Sequence, residues 1–352
     1  IIIITMTTAH KDALFVLIKS LSKSEKRQFK LYVGRLGVNT DAKFLALFNL
    51  LDKMKDYDEK AILESGIVKK TQLSNLKAHL YKQILVSLRL NPVNQNIRVQ
   101  IREQLDFATI LYQKGLYKQS LKILDKAKST AIENEEKNIA YEIVELEKVI
   151  ETQYITRSIP DRADELALQA KKLSELNVIT SKLSNLSLQL YGMMLKVGYV
   201  KSDKEIKNVK KYFDDHLPEY DMDLLGFREK LWLYKANLWY SFLIQDFLSC
   251  YKYASKWVDL FYENREMIYL NPVFFLKGNH YLLESLFYVK YSSQFRETLD
   301  KLEAMVNSDE FPKNDNITSL AFLYINSNKL NLHFMEGTFE KGLYLVKLQL
   351  PI

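Results

Sequence analysis

The residue types that carry most enzyme chemistry are scarce in this chain and poorly spaced for it. Its five histidines (His10, His79, His216, His280 and His333) each stand more than 50 residues from the next, and its one cysteine is Cys250. A metal site needs such ligands at short, matched spacings. No Gly-rich phosphate loop, G-x-S-x-G or H-E-x-x-H is present, so phosphate cradling, an activated serine and zinc hydrolysis have no local signature. Glu133–Glu136 reads as a solvated connection rather than paired catalytic carboxylates. The residues therefore predict a non-catalytic protein with neither metal nor cofactor. Cys250 is expected to pack as a small apolar side chain.

Two other constellations suit binding. Trp232, Lys235, Trp239 and Phe242 fall at i, i+3, i+7 and i+10, on one face of one helix, inside a stretch that holds all three tryptophans. Tryptophan and tyrosine anchor interfaces because they bury much area with few rotors. The stripe is thus a candidate partner-binding face; packing between helices is the competing reading, and the sequence leaves both open. The second constellation is basic. Lys23, Lys26, Arg27 and Lys30 form one cluster, and Lys69, Lys70, Lys77, Lys82 and Arg89 another. Such a density could neutralise phosphates, as in RNA, ribosome or DNA contact, and could equally be a solvated surface. Leu73, Leu76, Leu80, Ile84 and Leu88 suggest that the helix bearing the second cluster is buried on one side.

The elements that position these residues are helices. Glycine and proline number only 10 and 6 in 352 residues, while hydrophobic residues make up 47%. Sheets with many tight turns need more turn residues than that, and apolar spacings of three and four recur throughout. The fold class is all-α. Residues 1–100 hold 17 Lys/Arg against 8 Asp/Glu, a net +9, whereas the remainder carries 33 against 35. That asymmetry marks a boundary: a basic helical domain over residues 1–92, then a longer array over 93–352.

Five helices are expected in the first part: His10–Leu21, one from Ser22 to about Arg35, Asp41–Met54, Asp58–Ser65 and Thr71–Leu90. Ser22-Lys-Ser-Glu25 has capping-box spacing. Asn91–Asn96, with Pro92, reads as a linker. Beyond it the chain divides into about six helical hairpins. Inner turns fall at Gly115, Pro160, Gly198–Tyr199, Asp246, Ser293 and Gly337–Thr338, spaced by 39 to 47 residues. Outer connections fall near Asn134, Asn177–Thr180, Pro218–Asp221, Asn271–Pro272 and Phe311–Asn316.

The segment Tyr112–Ala127, with Gly115-Leu-Tyr117, Ser120, Leu124 and Ala127, resembles the turn and second helix of the tetratricopeptide repeat. Asp246-Phe247 with Cys250, Gly337-Thr-Phe339 with Gly342, and Gln294-Phe295 with Thr298 resemble the same segment. The period exceeds the roughly 34 residues of that family, so the likeness is to a tetratricopeptide-like α-solenoid with lengthened helices. Leu21–Arg27 is also similar to uncharacterised bacterial helical proteins. The resemblance implies a scaffold or adaptor that binds a protein partner within a larger complex. The alternative is a nucleic-acid- or ribosome-associated regulator docking through residues 19–89. A single cysteine and no membrane-length apolar run lead to an expectation of a cytoplasmic protein without membrane insertion. Residues 1–5, preceding Met6, are expected to be non-native, and the solenoid to continue past Ile352.

Overall fold

A computed structural model describes residues 12–36, 40–91, 96–153 and 161–349. Every regular element among them is helical, and there are seventeen helices. The chain forms two compact units, Ile1–Gln100 and Ile101–Ile352.

In the first unit, α1 (Ala13–Ser20), α2 (Lys23–Leu36), α3 (Thr40–Lys53), α4 (Glu59–Glu64) and α5 (Lys70–Arg89) follow the expected order. Local chemistry sets their starts. Asp12 accepts the Phe15 amide at 3.0 Å, and Asp58 accepts those of Lys60 and Ala61. At α2 the capping box forms: the Ser22 amide donates to Glu25 Oε2 at 2.8 Å, and the Glu25 amide donates back to Ser22 Oγ at 3.2 Å. Ile18, Phe29, Leu47, Phe48, Leu51, Leu80 and Ile84 close the core. The Lys77 ammonium ties α5 to Asp12 and to the Tyr57 hydroxyl.

The second unit contains α6 (Ile97–Gln113) from Ile101 onward, α7 (Tyr117–Glu133), α8 (Lys137–Gln153), α9 (Arg162–Val197), α10 (Asp203–His216) and α11 (Phe227–Leu243). It continues with α12 (Phe247–Glu263), α13 (Glu266–Leu270), α14 (Pro272–Tyr288), α15 (Ser292–Asn307), α16 (Asp315–Met335) and α17 (Phe339–Gln349). Helices pack mainly on neighbours in sequence: α7 on α8, α8 on α9, α9 on α11, α11 on α12, α12 on α14, and α14 on α15 and α16.

One turn design recurs. After α6, Gly115 takes φ +73° and the Leu116 amide donates back to Leu111 O at 2.9 Å. The same five-residue back-bond closes the turns at Glu136, Asp246, Tyr291 and Thr338, the form in which a left-handed residue satisfies the last helical carbonyls. Gly337 serves at the last of these, but Glu135, Gln245 and Lys290 adopt φ near +60° at the others. Each non-glycine residue there costs about 1–2 kcal/mol, and this use of ordinary residues is how so many turns coexist with so few glycines. The small residues after Gly115 let helices approach: Ser120 Oγ donates to Ala108 O at 2.7 Å, and Ala108, Leu124 and Ala127 are buried.

The expected hairpin connection at Asn177–Thr180 does not exist. Helix α9 runs unbroken from Arg162 to Val197, about 54 Å at the standard rise. Its polar residues there make tertiary bonds instead: Thr180 Oγ1 donates to Glu229 Oε1 at 2.7 Å, and Asn177 Nδ2 to Lys137 O at 3.4 Å. The expected turn at Pro160, and most of the linker around Pro92, lie outside the described residues. The short helix α13 lies in the outer connection expected near Asn271–Pro272. No helix among the described residues is long and apolar enough to cross a membrane.

Candidate interaction surfaces

Helix α11 is buried on nearly every side, because α9, α12 and α14 surround it. The expected groove stripe therefore divides. Trp239 and Phe242 are 5% and 3% exposed and belong to the core. Trp239 packs on Tyr191 of α9 at 4.7 Å and on Tyr281 of α14 at 5.3 Å, and Phe242 meets Tyr281 and Tyr288. As accessible contact residues those two side chains are corrected: a helix enclosed from three directions has no free aromatic face there. Trp232 and Lys235 stand at the edge, half-buried. Trp232 meets Phe274 edge-on at 5.7 Å, and Lys235 Nζ lies 4.4 Å from the Trp232 ring centre and 5.6 Å from that of Phe274. Burial, reinforced by Lys277, pushes the Lys235 ammonium down to a pKa of about 8.

The ring contacts continue across four helices. From Tyr191 (α9) and Trp239 (α11) they pass to Tyr281 and His280 (α14), and His280 stacks on Tyr324 (α16) at 4.4 Å and 8°. The side chains along this row are mostly half-buried, with Tyr191 and Tyr288 the most exposed. Sequence reading did not single out the α14 and α16 members, although Lys277, Tyr281, Glu284 and Tyr288 repeat at helical spacing and carried that signal. Cys250 is fully buried and its thiol is pushed up by burial, which suits the packing role expected of it.

The basic residues also divide. Lys26 pairs with Asp52 at 2.7 Å, and Lys77 with Asp12. Lys23, Arg27 and Lys30 project from the outer face of α2, while Lys69, Lys70 and Lys82, with Arg89 at the helix end, are exposed on or beside α5. Leu73, Leu80 and Ile84 face the core, whereas Leu76 and Leu88 are half-buried, so α5 offers one side to solvent rather than a free recognition surface.

Two buried ionic joints lie elsewhere in the second unit, and sequence reading missed both. Lys128 (α7) grips Glu147 (α8) with both oxygens at 2.9 and 2.7 Å, and Arg162 (α9) adds a contact at 3.4 Å. Burial raises the Glu147 pKa despite these cations. At the second joint Lys137 (α8) meets Glu229 (α11) at 2.5 Å and Glu135 at 2.8 Å. Burial works against the Glu229 carboxylate, but Lys137 and Thr180 outweigh it and hold the pKa below the ordinary value. Such pairs leave no local pattern, since their members are 19 and 92 residues apart. Between the joints, Ile132, Leu173, Leu176, Leu224 and Leu225 line an open cavity of about 550 Å³.

No group of three or more His, Cys, Asp and Glu side chains placed to hold a metal ion occurs among the described residues. No protein-family model, curated protein or solved structure matches this chain.

Proposed function

We propose that residues 93–352 form a tetratricopeptide-like α-solenoid with lengthened helices, preceded by a basic helical domain, and that the chain is a non-catalytic adaptor. Its protein partner binds the face shared by α9, α11, α14 and α16. The observation that carries this reading is the aromatic row that is half-buried on α14 and α16, exposed at Tyr191 on α9 and joined through the buried Trp239, with Trp232 and Lys235 at the edge of α11; Lys235 has no carboxylate partner among the described residues. Rigid helices bearing aromatic anchors lose little conformational entropy on association. Neighbour-on-neighbour packing and the recurring turn closure support the repeat character.

The test is affinity purification from the native host with mass spectrometry, comparing the natural chain with Trp232→Ala and Lys235→Glu. Both positions are at the edge of the core, so helicity by circular dichroism should hold. A partner enriched with the natural chain and lost with both variants is the expected result. Equal recovery with all three chains refutes this face.

A second reading has its own observation. Lys23, Arg27, Lys30, Lys69, Lys70 and Lys82 reach solvent without a carboxylate partner among the described residues, which suits phosphate contact by an RNA- or ribosome-associated regulator. Binding of a short RNA duplex should then fall steeply as salt rises from about 50 to 200 mM. Absence of binding even at the lower salt removes this reading.

A further inference from the structure

Charge on the α11–α14 face is sorted into two places. Lys277, Tyr281, Glu284 and Tyr288 follow at i, i+4, i+7 and i+11 along α14, which puts them on one stripe. At the beginning of that stripe Lys277 is an electrostatic neighbour of Lys235, itself over the Trp232 and Phe274 rings. Neither lysine makes a hydrogen bond or ion pair among the described residues. Two ammonium groups that feel one another's charge, with no counter-charge paired to them among the described residues, attract an anion.

Two turns further on the sign reverses. Glu284 is half-buried and also lacks a hydrogen bond or ion pair among the described residues. Its electrostatic neighbours among the described residues are Tyr199, Cys250, Tyr281 and Tyr324, and burial raises its pKa. The nearby His280 is pushed down to about 4 by burial, so it is neutral at pH 7 and does not offset the carboxylate. Asn328, fully buried beside His280, donates through Nδ2 to Tyr324 O at 2.7 Å and pairs with His280 Nδ1 at 3.1 Å, while its Oδ1 has no donor. A shielded carboxylate among tyrosine rings favours a cation, both by charge and through the negative ring faces.

The two charge centres are seven residues apart on α14, about 10 Å along the helix axis at the standard rise. A peptide in the polyproline II conformation rises about 9 Å over three residues and brings the third residue back to the same side. We infer that this face is a dipolar peptide site. It takes a segment of a protein partner in the polyproline II conformation, with an arginine or lysine seated at Glu284 among the tyrosines and an acidic residue three positions away seated between Lys235 and Lys277. The inference rests on the adaptor reading and specifies its ligand.

A phage-displayed library of random heptapeptides, selected against the full chain at low salt, tests it. Enriched peptides should carry a basic and an acidic residue three positions apart. The best of them, measured by fluorescence polarisation, should lose about tenfold or more in affinity on Glu284→Gln. Replacing the peptide's basic residue with alanine should then cost nothing further in that variant. Lys235→Gln combined with Lys277→Gln should act likewise on the acidic residue. Reselection against Glu284→Lys should exchange the basic position for an acidic one, a result that misfolding cannot produce. No enrichment, enrichment without the charge pair, or affinity indifferent to Glu284→Gln overturns the site. Peptides that bind this face independently of Glu284 refute the dipolar site while leaving the adaptor reading standing.

Discussion

Gly226→Ala should destabilise the second unit, where an added methyl group at an ordinary backbone position would stabilise it. Gly226 has φ −83°, a backbone open to any residue, so what demands glycine is space. A Cβ there would run into Lys137 Nζ and stand 3.0 Å from Glu229 Oε2 and 3.1 Å from Glu135 Oε2. Glu229 is fully buried and accepts from Lys137 at 2.5 Å, Thr180 Oγ1 at 2.7 Å and the Gly226 amide at 3.0 Å. Displacing the ammonium, the far end of a flexible chain, weakens its pair with a buried carboxylate without removing the cation. The cost is therefore about 2–3 kcal/mol, below the roughly 3–5 kcal/mol of breaking such a pair outright. The alanine returns about 0.4–1 kcal/mol through the unfolded state. The net loss is about 1–2 kcal/mol, which lowers Tm by roughly 3–6 °C for a unit of this size. Urea unfolding followed by tryptophan fluorescence reads it, since Trp232, Trp239 and Trp257 all lie in this unit. The decisive control is Lys137→Ala, which removes the obstructed group. In that background Gly226→Ala should be near neutral, a coupling of about 1 kcal/mol or more between neighbouring sites. Strict additivity of the two changes would refute the steric account.

Lys128→Met should cost about 3–5 kcal/mol in urea unfolding because it strips a fully buried Glu147 of its main cation, while the double change Lys128→Met with Glu147→Met should recover most of that loss. His280 gives a pH signature: its folded pKa is depressed from 6.5 to about 4 by burial, so the unfolded chain takes up the proton first. The stability His280 contributes is whole above about pH 6.5 and declines as pH falls toward 4; a His280→Phe variant should flatten that part of the stability curve while keeping the stack on Tyr324. In the first unit, Ser22→Ala removes an N-cap worth about 1 kcal/mol, and amide hydrogen exchange should show lower protection at the start of α2.

Short-range chemistry was readable in the residues and long-range chemistry was not. Ser22 and Glu25 are three apart and need only each other, so their capping box could be read directly; Gly115 and Gly337 mark left-handed turns for the same reason. Glu135, Gln245 and Lys290 occupy equivalent turn positions, and nothing in a glutamate, glutamine or lysine announces a positive φ. Asn177 and Thr180 misled because polar, helix-indifferent residues mark loops unless a distant partner, here Lys137 and Glu229, holds them in a helix. The aromatic stripe of α11 had the right period, but period alone does not tell a groove face from a core face once neighbours enclose the helix. Trp232 and Lys235 stayed at the edge while Trp239 and Phe242, one and two turns along, went inside.

The second unit uses different interactions along its length, and that difference decides where a partner can be recognised. Between α7 and α11 the joints are ionic, and Lys128, Glu147, Lys137 and Glu229 neutralise one another. From α11 to α16 the joints are aromatic, with Trp257, Phe261, Phe275 and Phe295 fully buried. Buried ion pairs fix register because a mismatch leaves a charge alone in a medium that penalises it; aromatic packing tolerates neighbours of many shapes and adds stability by area. A partner arriving at the ionic half finds its charges satisfied, so it has little to complete. Lys235, Lys277 and Glu284 are set among packed rings with no mutual pairing among the described residues, and they are the charges the proposed peptide would complete. The aromatic density first suggested the site, but aromatic density also builds the core. In the proposed adaptor, the unmatched charges at its edge are what set a binding face apart from interior packing.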